Sequence, residues 1–485
     1  MNLTPLIEPN WYLAILPELI LCVGGMVLIL VDAFAPRSKG ISAPLALILL
    51  IITAWTEPFL PGGNYFGGTY QINEITRLFD MTFLLAGMLA TLFAREYLNR
   101  EGIEGGEFFA LLLWGTVGMM MMAKGLDLLI IILGLEILSI CIFVLVGYHR
   151  RIPVSNEASL KYFLMGAFAT GFILYGTALF YGATQSTHIS VMAEAFAKAD
   201  ARNPLLAIGF VLLMSGFGFK LALAPFHPWA PDVYQGSPTP VAGWLSVAPK
   251  AATIIVLARL FAAMTPLLEQ TNWMKMVAAL AVLSMIVGNA VAIVQRDLKR
   301  MLAYSGIAHV GYMMLALLTI RDDSVAAVTV YVVAYALMNL GAFGVVSMLA
   351  KNQNDPQTLD DVAGLGFRRP FYGLALTVCL FSLSGLPPTA GFIAKFYVFK
   401  TAIESGHLAV ALVGIITSIV SVYYYLRVVY YLYMKEPVEG HTVPVSGLFA
   451  TGALAISMIG ILMIGMYPMP LFNVAGAAAR ELLRR

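Results

Sequence analysis

Two proline-containing segments decide the fold class of this chain. Residues 219–228 read Phe-Lys-Leu-Ala-Leu-Ala-Pro-Phe-His-Pro, and residues 384–392 read Ser-Gly-Leu-Pro-Pro-Thr-Ala-Gly-Phe. Both lie within long apolar stretches, where proline removes a backbone donor and clashes with the preceding helical turn. Such breaks persist at membrane depth only where protein or a water-filled cavity satisfies the freed backbone groups. The two segments therefore predict two broken membrane-spanning helices.

The composition around these segments indicates an all-α integral membrane protein without an inserted soluble domain. Of the 485 residues, 60% are hydrophobic and 12% are charged, whereas soluble domains are about 25% charged. Apolar runs of bilayer length predict about fourteen transmembrane helices. The predicted spans are 11–34, 41–60, 79–95, 107–124, 127–148, 160–182, 204–224, 240–262, 273–295, 299–319, 325–350, 371–400, 408–434 and 446–472.

The broken segments fall in the seventh and twelfth predicted helices. Corresponding broken helices in two halves of a chain are the best sequence indication of a transporter site. They predict two five-helix repeats, helices 4–8 and helices 9–13, which are inverted because five is an odd number. The predicted regions are the N-terminal helices in 1–106, the first repeat in 107–262, the second in 263–435, and the last helix and tail in 436–485.

Several classes of function are excluded by what the sequence lacks. The net charge of +2 leaves no basic footprint for nucleic acid. The three cysteines, Cys22, Cys141 and Cys379, lie in separate apolar runs without the spacing of a metal site or a disulfide framework. No nucleotide-binding or haem motif is present. We therefore expect no metal, no cofactor and no redox chemistry on this chain.

The distribution of lysine and arginine predicts the orientation in the membrane, since loops on the cytoplasmic side carry an excess of both. With both termini on the external side, the cytoplasmic loops hold most of the basic residues. These are Arg37, Lys39, Arg95, Arg100, Arg150, Arg151, Arg296, Lys299, Arg300, Lys351, Arg368, Arg369 and Lys435.

Four ionisable residues lie well inside predicted helices and are candidates for function, because such groups are costly in a membrane. Glu136 is the single charge of its apolar run, and Lys220 precedes the first proline break. Lys250 lies midway along the eighth helix, and Lys395 follows the second break. One acid and several lysines do not make a metal site. Distributed over several helices, they favour a proton relay.

Three further groups of residues allow a second explanation. Lys161 can belong to the relay or form a surface pair with Glu157 one turn earlier. His309 titrates near neutrality and suits a relay, or it is a hydrogen-bonded packing residue. Arg427 and the tyrosines at 423–425 are more typical of an anchor at the membrane interface.

At these residues the sequence resembles the antiporter-like membrane subunits of bacterial NADH-quinone oxidoreductase, respiratory complex I, and among them the subunit N family. The resemblance covers essentially the whole chain. The motifs that carry it are 133–139 (Leu-Gly-Leu-Glu-Ile-Leu-Ser), 157–162 (Glu-Ala-Ser-Leu-Lys-Tyr), 216–220 (Gly-Phe-Gly-Phe-Lys), the proline-rich 225–238, 299–305 (Lys-Arg-Met-Leu-Ala-Tyr-Ser), 309–312 (His-Val-Gly-Tyr) and 386–397.

The resemblance implies a role for each candidate residue. Glu136 and Lys220 match the buried ion pair of the family, and Lys161 matches a further lysine near that pair. Lys250 matches the central connecting lysine, and Lys395 matches the lysine of the second half-channel. His309 matches the histidine of the tenth helix.

The resemblance also implies a proton-translocating subunit that couples quinone reduction elsewhere in the complex to proton pumping. FMN, iron–sulfur clusters and quinone are expected on partner subunits. The implied partners are a second antiporter-like subunit, a small three-helix subunit and lipid, in the bacterial inner (cytoplasmic) membrane. The alternatives are a subunit of a multisubunit sodium/proton antiporter, a stand-alone secondary transporter, and a non-transporting membrane scaffold or quinone-binding part.

Overall fold

The computed structural model describes residues 10–34, 40–200, 202–349, 357–437 and 447–483. Three of the basic residues used to predict orientation, Arg37, Lys39 and Lys351, lie outside these ranges. The helices of the described part are α1 (Trp11–Ala14), α2 (Leu16–Phe34), α3 (Ser42–Thr56), α4 (Glu74–Glu101), α5 (Gly106–Lys124), α6 (Leu128–Val146), α7 (Pro153–Thr184), α8 (Ile189–Lys198), α9 (Pro204–Leu221), α10 (Trp229–Gly236), α11 (Thr239–Gln270), α12 (Trp273–Val294), α13 (Leu298–Ala316), α14 (Asp322–Met348), α15 (Leu365–Arg368), α16 (Pro370–Ser384), α17 (Ala390–Glu404), α18 (Leu408–Met434), α19 (Leu448–Met466) and α20 (Met469–Leu483).

Twelve helical segments of the described chain are long and apolar enough to cross a membrane. The prediction of an all-α membrane protein is therefore confirmed, while the count of fourteen stays a prediction. Two segments account for the difference. Helix α13 begins with the charged pair Lys299 and Arg300, and the span predicted at 371–400 is divided into the shorter helices α16 and α17.

The loops contain more structure than the sequence predicted. In the loop 57–78, strand β1 (Gly63–Tyr65) pairs antiparallel with β2 (Tyr70–Ile72), and Gly63 lies opposite Ile72. The loop 183–203 contains helix α8. Both elements are short, so the fold remains almost entirely helical.

Burial separates central helices from peripheral ones. In the most apolar stretch of α14, 94% of the residues are buried. The corresponding share is 83% for α11 and 28% for α19. A helix that is apolar on all sides belongs in the interior. The centre of the bundle is therefore built by α11 and α14, and α11 is the helix that carries Lys250.

The first predicted break separates α9 from α10, and neighbouring side chains satisfy its backbone. The indole nitrogen of Trp229, the first residue of α10, donates to the carbonyl of Phe219 at 3.0 Å. The amide of Ala224 donates to the hydroxyl of Ser284 at 2.9 Å. A helix end buried in a membrane requires such partners.

The second predicted break separates α16 from α17, and here a candidate site residue provides the partner. Lys395 donates to the carbonyl of Ser384, the last residue of α16, at 3.0 Å. The amide of Gly391 donates to Ser382 Oγ at 3.0 Å. A Cβ at position 391 would lie 1.7 Å from the Ser382 carbonyl oxygen. Only glycine permits this approach of α17 to the end of α16.

Candidate proton relay

The first part of the candidate site joins α6, α7 and α9. Lys220 is 6% exposed and donates to Ser139 Oγ at 2.7 Å. The hydroxyl of Thr170 donates to Glu136 at 2.7 Å. Glu136 is near enough to act electrostatically on Lys220, but the two charges form no contact pair. The predicted ion pair of Glu136 and Lys220 is thus an electrostatic interaction without direct contact, and Ser139, one turn beyond Glu136, binds the ammonium group.

Lys250 occupies the centre of the bundle without a hydrogen-bond partner among the described residues. It is 2% exposed, and its Nζ atom donates no hydrogen bond to any of these residues. The rings of Tyr234 and Tyr335 lie 5.9 Å and 6.0 Å from it. A Cβ at Gly306 would lie 2.8 Å from the nitrogen. The absence of a side chain at Gly306 thus leaves room for the ammonium group.

The charges of both Lys250 and Lys395 act on His309. Its Nδ1 atom is 2.7 Å from the Tyr331 hydroxyl, and its Nε2 atom is 3.2 Å from the Tyr425 hydroxyl. Each phenol can donate or accept a proton. A buried imidazole held between two hydroxyl groups is therefore able to pass a proton in either direction.

Uncharged polar groups continue toward Lys395 from Tyr424, whose ring centre lies 4.4 Å from that of the next residue, Tyr425. The Tyr424 hydroxyl donates to Asn289 Oδ1 at 3.0 Å, and the Asn289 amide donates to the Tyr312 hydroxyl at 3.0 Å. Tyr312 lies 3.3 Å from the hydroxyl of Thr417. The sequence analysis did not single out Asn289, although an amide in the middle of an apolar helix is a signal that could have found it.

Lys395 forms the other end of this polar line. It is 4% exposed and donates to Ser418 Oγ at 2.9 Å as well as to the Ser384 carbonyl. Its nitrogen lies 5.2 Å from the centre of the Tyr312 ring. Of the six predicted residues, Lys220, Lys250, His309 and Lys395 are thus buried, and hydroxyl and amide groups extend from His309 to the neighbourhood of Lys395.

The predicted interface anchor at 423–425 is only partly correct. Tyr423 is 60% exposed, as an anchor should be, but Tyr424 and Tyr425 are fully buried. Tyr425 forms a short hydrogen bond with Ser305. Arg427 donates to the carbonyls of Ile293 and Gln295 at the end of α12. Two of the three tyrosines therefore belong to the polar interior.

Lys161 does not join the buried line in this chain. Its side chain is 44% exposed, and it pairs with Glu157 at 2.7 Å and with Asp232 at 3.1 Å. Asp232 also binds Arg300 at 2.8 Å. The surface pair that the sequence left open as an alternative is therefore the arrangement observed.

Asp232 is the centre of this surface network, and its removal is expected to have a small effect. Partial burial would raise the pKa of Asp232, but hydrogen bonds from Arg300 and Lys161 outweigh it and leave the pKa lowered. The carboxylate then stabilises the fold at neutral pH, and this contribution is lost only as the pH falls through the lowered pKa. Asp232→Asn should cost at most about 1 kcal/mol, since the groups are exposed.

The difference in thermal stability between Asp232→Asn and the unchanged protein should stay constant from neutral pH down to about pH 5, and it should shrink below the ordinary carboxyl range. Added salt should reduce it at neutral pH. A difference that disappears between pH 7 and pH 5 would contradict the assigned charge state.

A second buried charged cluster was missed by the sequence analysis. The ammonium of Lys124 lies 2.9 Å from Glu18, 3.3 Å from Glu57 and 2.7 Å from Asp80. We name these four side chains the Lys124 cluster. Each of its members lies within a predicted span, so each was detectable as an ionisable group in an apolar helix.

The described residues contain no group of three or more His, Cys, Asp or Glu side chains able to hold a metal ion. The cysteines there are free, and Cys141 and Cys379 are buried. The titratable groups that the described residues do bring together are lysine, histidine and tyrosine side chains, which bind and release protons.

Comparison with known proteins assigns the family. The family model described as "NADH:quinone oxidoreductase/Mrp antiporter, TM" matches residues 125–421. NADH-quinone oxidoreductase subunit N of Trichlorobacter lovleyi is 42% identical over 479 residues, which cover 96% of each chain. That of Rhizobium meliloti is 38% identical and covers 97% of this chain and 98% of its own.

A chain of respiratory complex I from Thermus thermophilus, solved with bound aureothin, is 34% identical with a TM-score of 0.81, and the match covers 95% of this chain and 100% of that one. These matches confirm the resemblance found in the sequence, and they favour it over the sodium/proton antiporter and stand-alone transporter alternatives. By its family model, its full-length relatives and its solved counterpart, this chain belongs to the subunit N family of NADH-quinone oxidoreductase.

Proposed function

We propose that this chain carries protons across the membrane through Glu136, Lys220, Lys250, His309 and Lys395, driven by quinone reduction in partner subunits. The observation that carries the proposal is the set of buried titratable groups on α9, α11, α13 and α17, with the half-buried Glu136 of α6 near the first of them. Membranes exclude such groups unless a function retains them.

A change in the distance between Glu136 and Lys220 can control proton transfer through these residues. When the carboxylate of Glu136 approaches Lys220, it favours the protonated lysine, and when the two separate, the buried lysine loses that support. A movement in a neighbouring subunit that alters their separation then drives the proton toward Lys250. Movement of one charge across the membrane requires about 2.3 kcal/mol per 100 mV, and disruption of a desolvated pair can provide several kcal/mol.

Lys250 is suited to the middle step because nothing binds its proton tightly. Within the part of the chain that the structure describes, Nζ has no hydrogen-bond partner and tyrosine rings lie on two sides, so the charged form has little to offset desolvation. The proton therefore passes readily to the hydroxyl groups around His309 and then to Lys395. Lys161, exposed and paired with Asp232, is assigned to proton uptake at the surface.

The inverted repeats are part of this proposal, and two matching β-bridges support them. Asp127 caps α6 and pairs with His188, while Asp297 caps α13 and pairs with Thr358. The two bridges span the same number of residues. Helices α6 and α13 are the second helices of the regions 107–262 and 263–435, so equivalent loops close equivalent helices.

The surroundings follow from the same proposal. FMN, iron–sulfur clusters and quinone are held by partner subunits, which include a second antiporter-like subunit and a small three-helix subunit. The chain lies in the bacterial inner membrane with both termini on the external side. Its exposed apolar residues, such as Phe168, Ile419 and Met463, face lipid or these partners.

Two lysines of α17 provide the test of the relay. Lys395 is buried on the polar line, whereas Lys400 is 48% exposed and lies 3.8 Å from Glu404. In the complete complex reconstituted into vesicles, Lys395→Met should lower NADH-driven proton pumping by at least about tenfold, as expected for loss of a positioned acid–base group. Lys400→Met should leave it unchanged.

Pumping is followed with a pH-sensitive dye, and the amount of this chain in the purified complex, measured on a denaturing gel, confirms that each variant has assembled. Equal pumping by the two variants would refute the relay assignment.

A further inference from the structure

The Lys124 cluster is a candidate for a second site because it is buried and separate from the proposed relay. Its side chains are 8% exposed for Glu18, 1% for Glu57 and 0% for Asp80 and Lys124. They come from α2, the helical turn after α3, α4 and α5. Four separate segments thus converge on one ammonium group.

The charges in this cluster do not balance. Three carboxyl groups surround one lysine. A further cation, Arg259 on α11, acts on Asp80 electrostatically but donates its hydrogen bond to the carbonyl of Gly125 at 3.0 Å. Even with Arg259 included, the acids outnumber the cations. A buried charge without compensation is strongly unfavourable. At least one of the carboxyl groups therefore holds a proton.

The contacts of the three acids indicate which of them hold that proton. One oxygen of each acid, Glu18 Oε2, Glu57 Oε2 and Asp80 Oδ1, is buried without a hydrogen-bond partner among the described residues. The other oxygen of Glu18 accepts the hydroxyl proton of Tyr70 at 2.5 Å in addition to its contact with Lys124. Glu57 and Asp80 both lie against the same Lys124 ammonium, at 3.3 Å and 2.7 Å. Two ionised carboxylates at one site repel each other, and a proton on one of them removes that repulsion, so we assign the proton to this pair.

The position of the cluster relates it to the relay. Arg259 lies nine residues after Lys250 on α11, a distance of roughly 13 Å along a helix. The cluster is therefore displaced from Lys250 toward the membrane face where α2 and α4 begin and α3 and α5 end.

We propose that the Lys124 cluster is a proton-binding site in which Glu57 and Asp80 share one proton, and that this site exchanges protons between the relay and the nearby membrane face. The binding of a proton follows from the charges and contacts of the cluster alone. The exchange rests on the proposed function.

Infrared difference spectroscopy of the intact complex tests the binding. Asp80→Asn and Glu57→Gln each replace a carboxyl group by an amide of the same shape, and two variants are available in case one fails to assemble. At neutral pH, the spectrum of the unchanged complex minus either variant should contain the C=O band of a protonated carboxylic acid. Isotopically labelled aspartate should shift that band. Loss of carboxylate bands only would overturn the proposal.

Proton pumping by the same variants tests the exchange. Asp80→Asn should slow NADH-driven pumping by at least about tenfold, and unchanged pumping would overturn this part. Glu136→Gln serves as the control, because it alters the relay and should leave the carboxylic acid band in place. Normal pumping by Glu136→Gln and Lys395→Met would count against the relay, whereas the band reports on the cluster independently.

Discussion

Replacement of Lys250 by methionine is expected to stabilise the chain and to abolish proton pumping. The Lys250 ammonium is buried and has no hydrogen-bond partner in the described ranges, so it contributes a desolvation cost and little in return. Methionine has nearly the same shape and fills the space beside Gly306. Exchange of buried charges for apolar groups of similar volume stabilises proteins by about 1–4 kcal/mol. The relay, however, loses its central proton carrier.

The two effects are measured separately on the purified complex. Thermal denaturation should show Lys250→Met to be at least as resistant as the unchanged protein, and reconstituted vesicles should show no NADH-driven pumping above background. Lys275→Met at the start of α12 is the control, since that lysine lies near the membrane surface. A strongly destabilised Lys250→Met would show that unseen partners bind the lysine and that its role is structural.

Replacement of Lys124 by methionine is expected to destabilise the chain, in contrast to the stabilisation expected for Lys250→Met. Lys124 contacts three buried carboxyl groups, and removal of one partner of a buried ion pair costs about 3–5 kcal/mol. The remaining acids must then take up protons or draw water into the bundle. Because the cluster joins α2, α4 and α5, we expect the loss to loosen the N-terminal helices and to lower the amount of assembled complex.

A double substitution isolates this electrostatic cause. Asp80→Asn removes the acid nearest to Lys124, so Lys124→Met together with Asp80→Asn should recover part of the stability lost in Lys124→Met alone. Proteolysis of the N-terminal region and the yield of complex are the readouts. Additive losses in the double variant would mean that Lys124 acts through packing and not through its charge.

The helix breaks could be predicted because proline has a local and general effect on helices. Residues 219–228 and 384–392 each interrupt a helix as expected. The burial of Lys220, Lys250 and Lys395 followed from the length of the surrounding apolar runs. Such properties depend on neighbours in sequence, and the chain alone provides them.

The partners of these residues could not be predicted, because they depend on the rotation of helices about their axes. Ser139 and Glu136 lie on the same face of α6, and only the packed structure shows that Lys220 binds the serine. The Lys124 cluster illustrates the same limit. Glu18 and Lys124 are distant in sequence, and no local pattern indicates that they meet.

The tyrosines at 423–425 show how a local rule misleads. Their position near the end of a predicted span is typical of an interface anchor. In the structure, Tyr424 binds Asn289 of α12 and Tyr425 lies beside His309 of α13, so both side chains point into the bundle. Polarity alone does not distinguish a side chain that reaches the headgroups from one that serves an interior network.

The bond between Lys395 and the end of α16 couples acid–base state to backbone geometry. The C-terminus of a helix carries partial negative charge, and Lys395 places a cation on the Ser384 carbonyl there. When the amine becomes neutral, this attraction weakens and α16 can separate from α17 more easily. If Lys395 gains and loses a proton in each turnover, the attachment of α17 to the end of α16 should strengthen and weaken in step. Protonation of one nitrogen would then change the relative position of two helices.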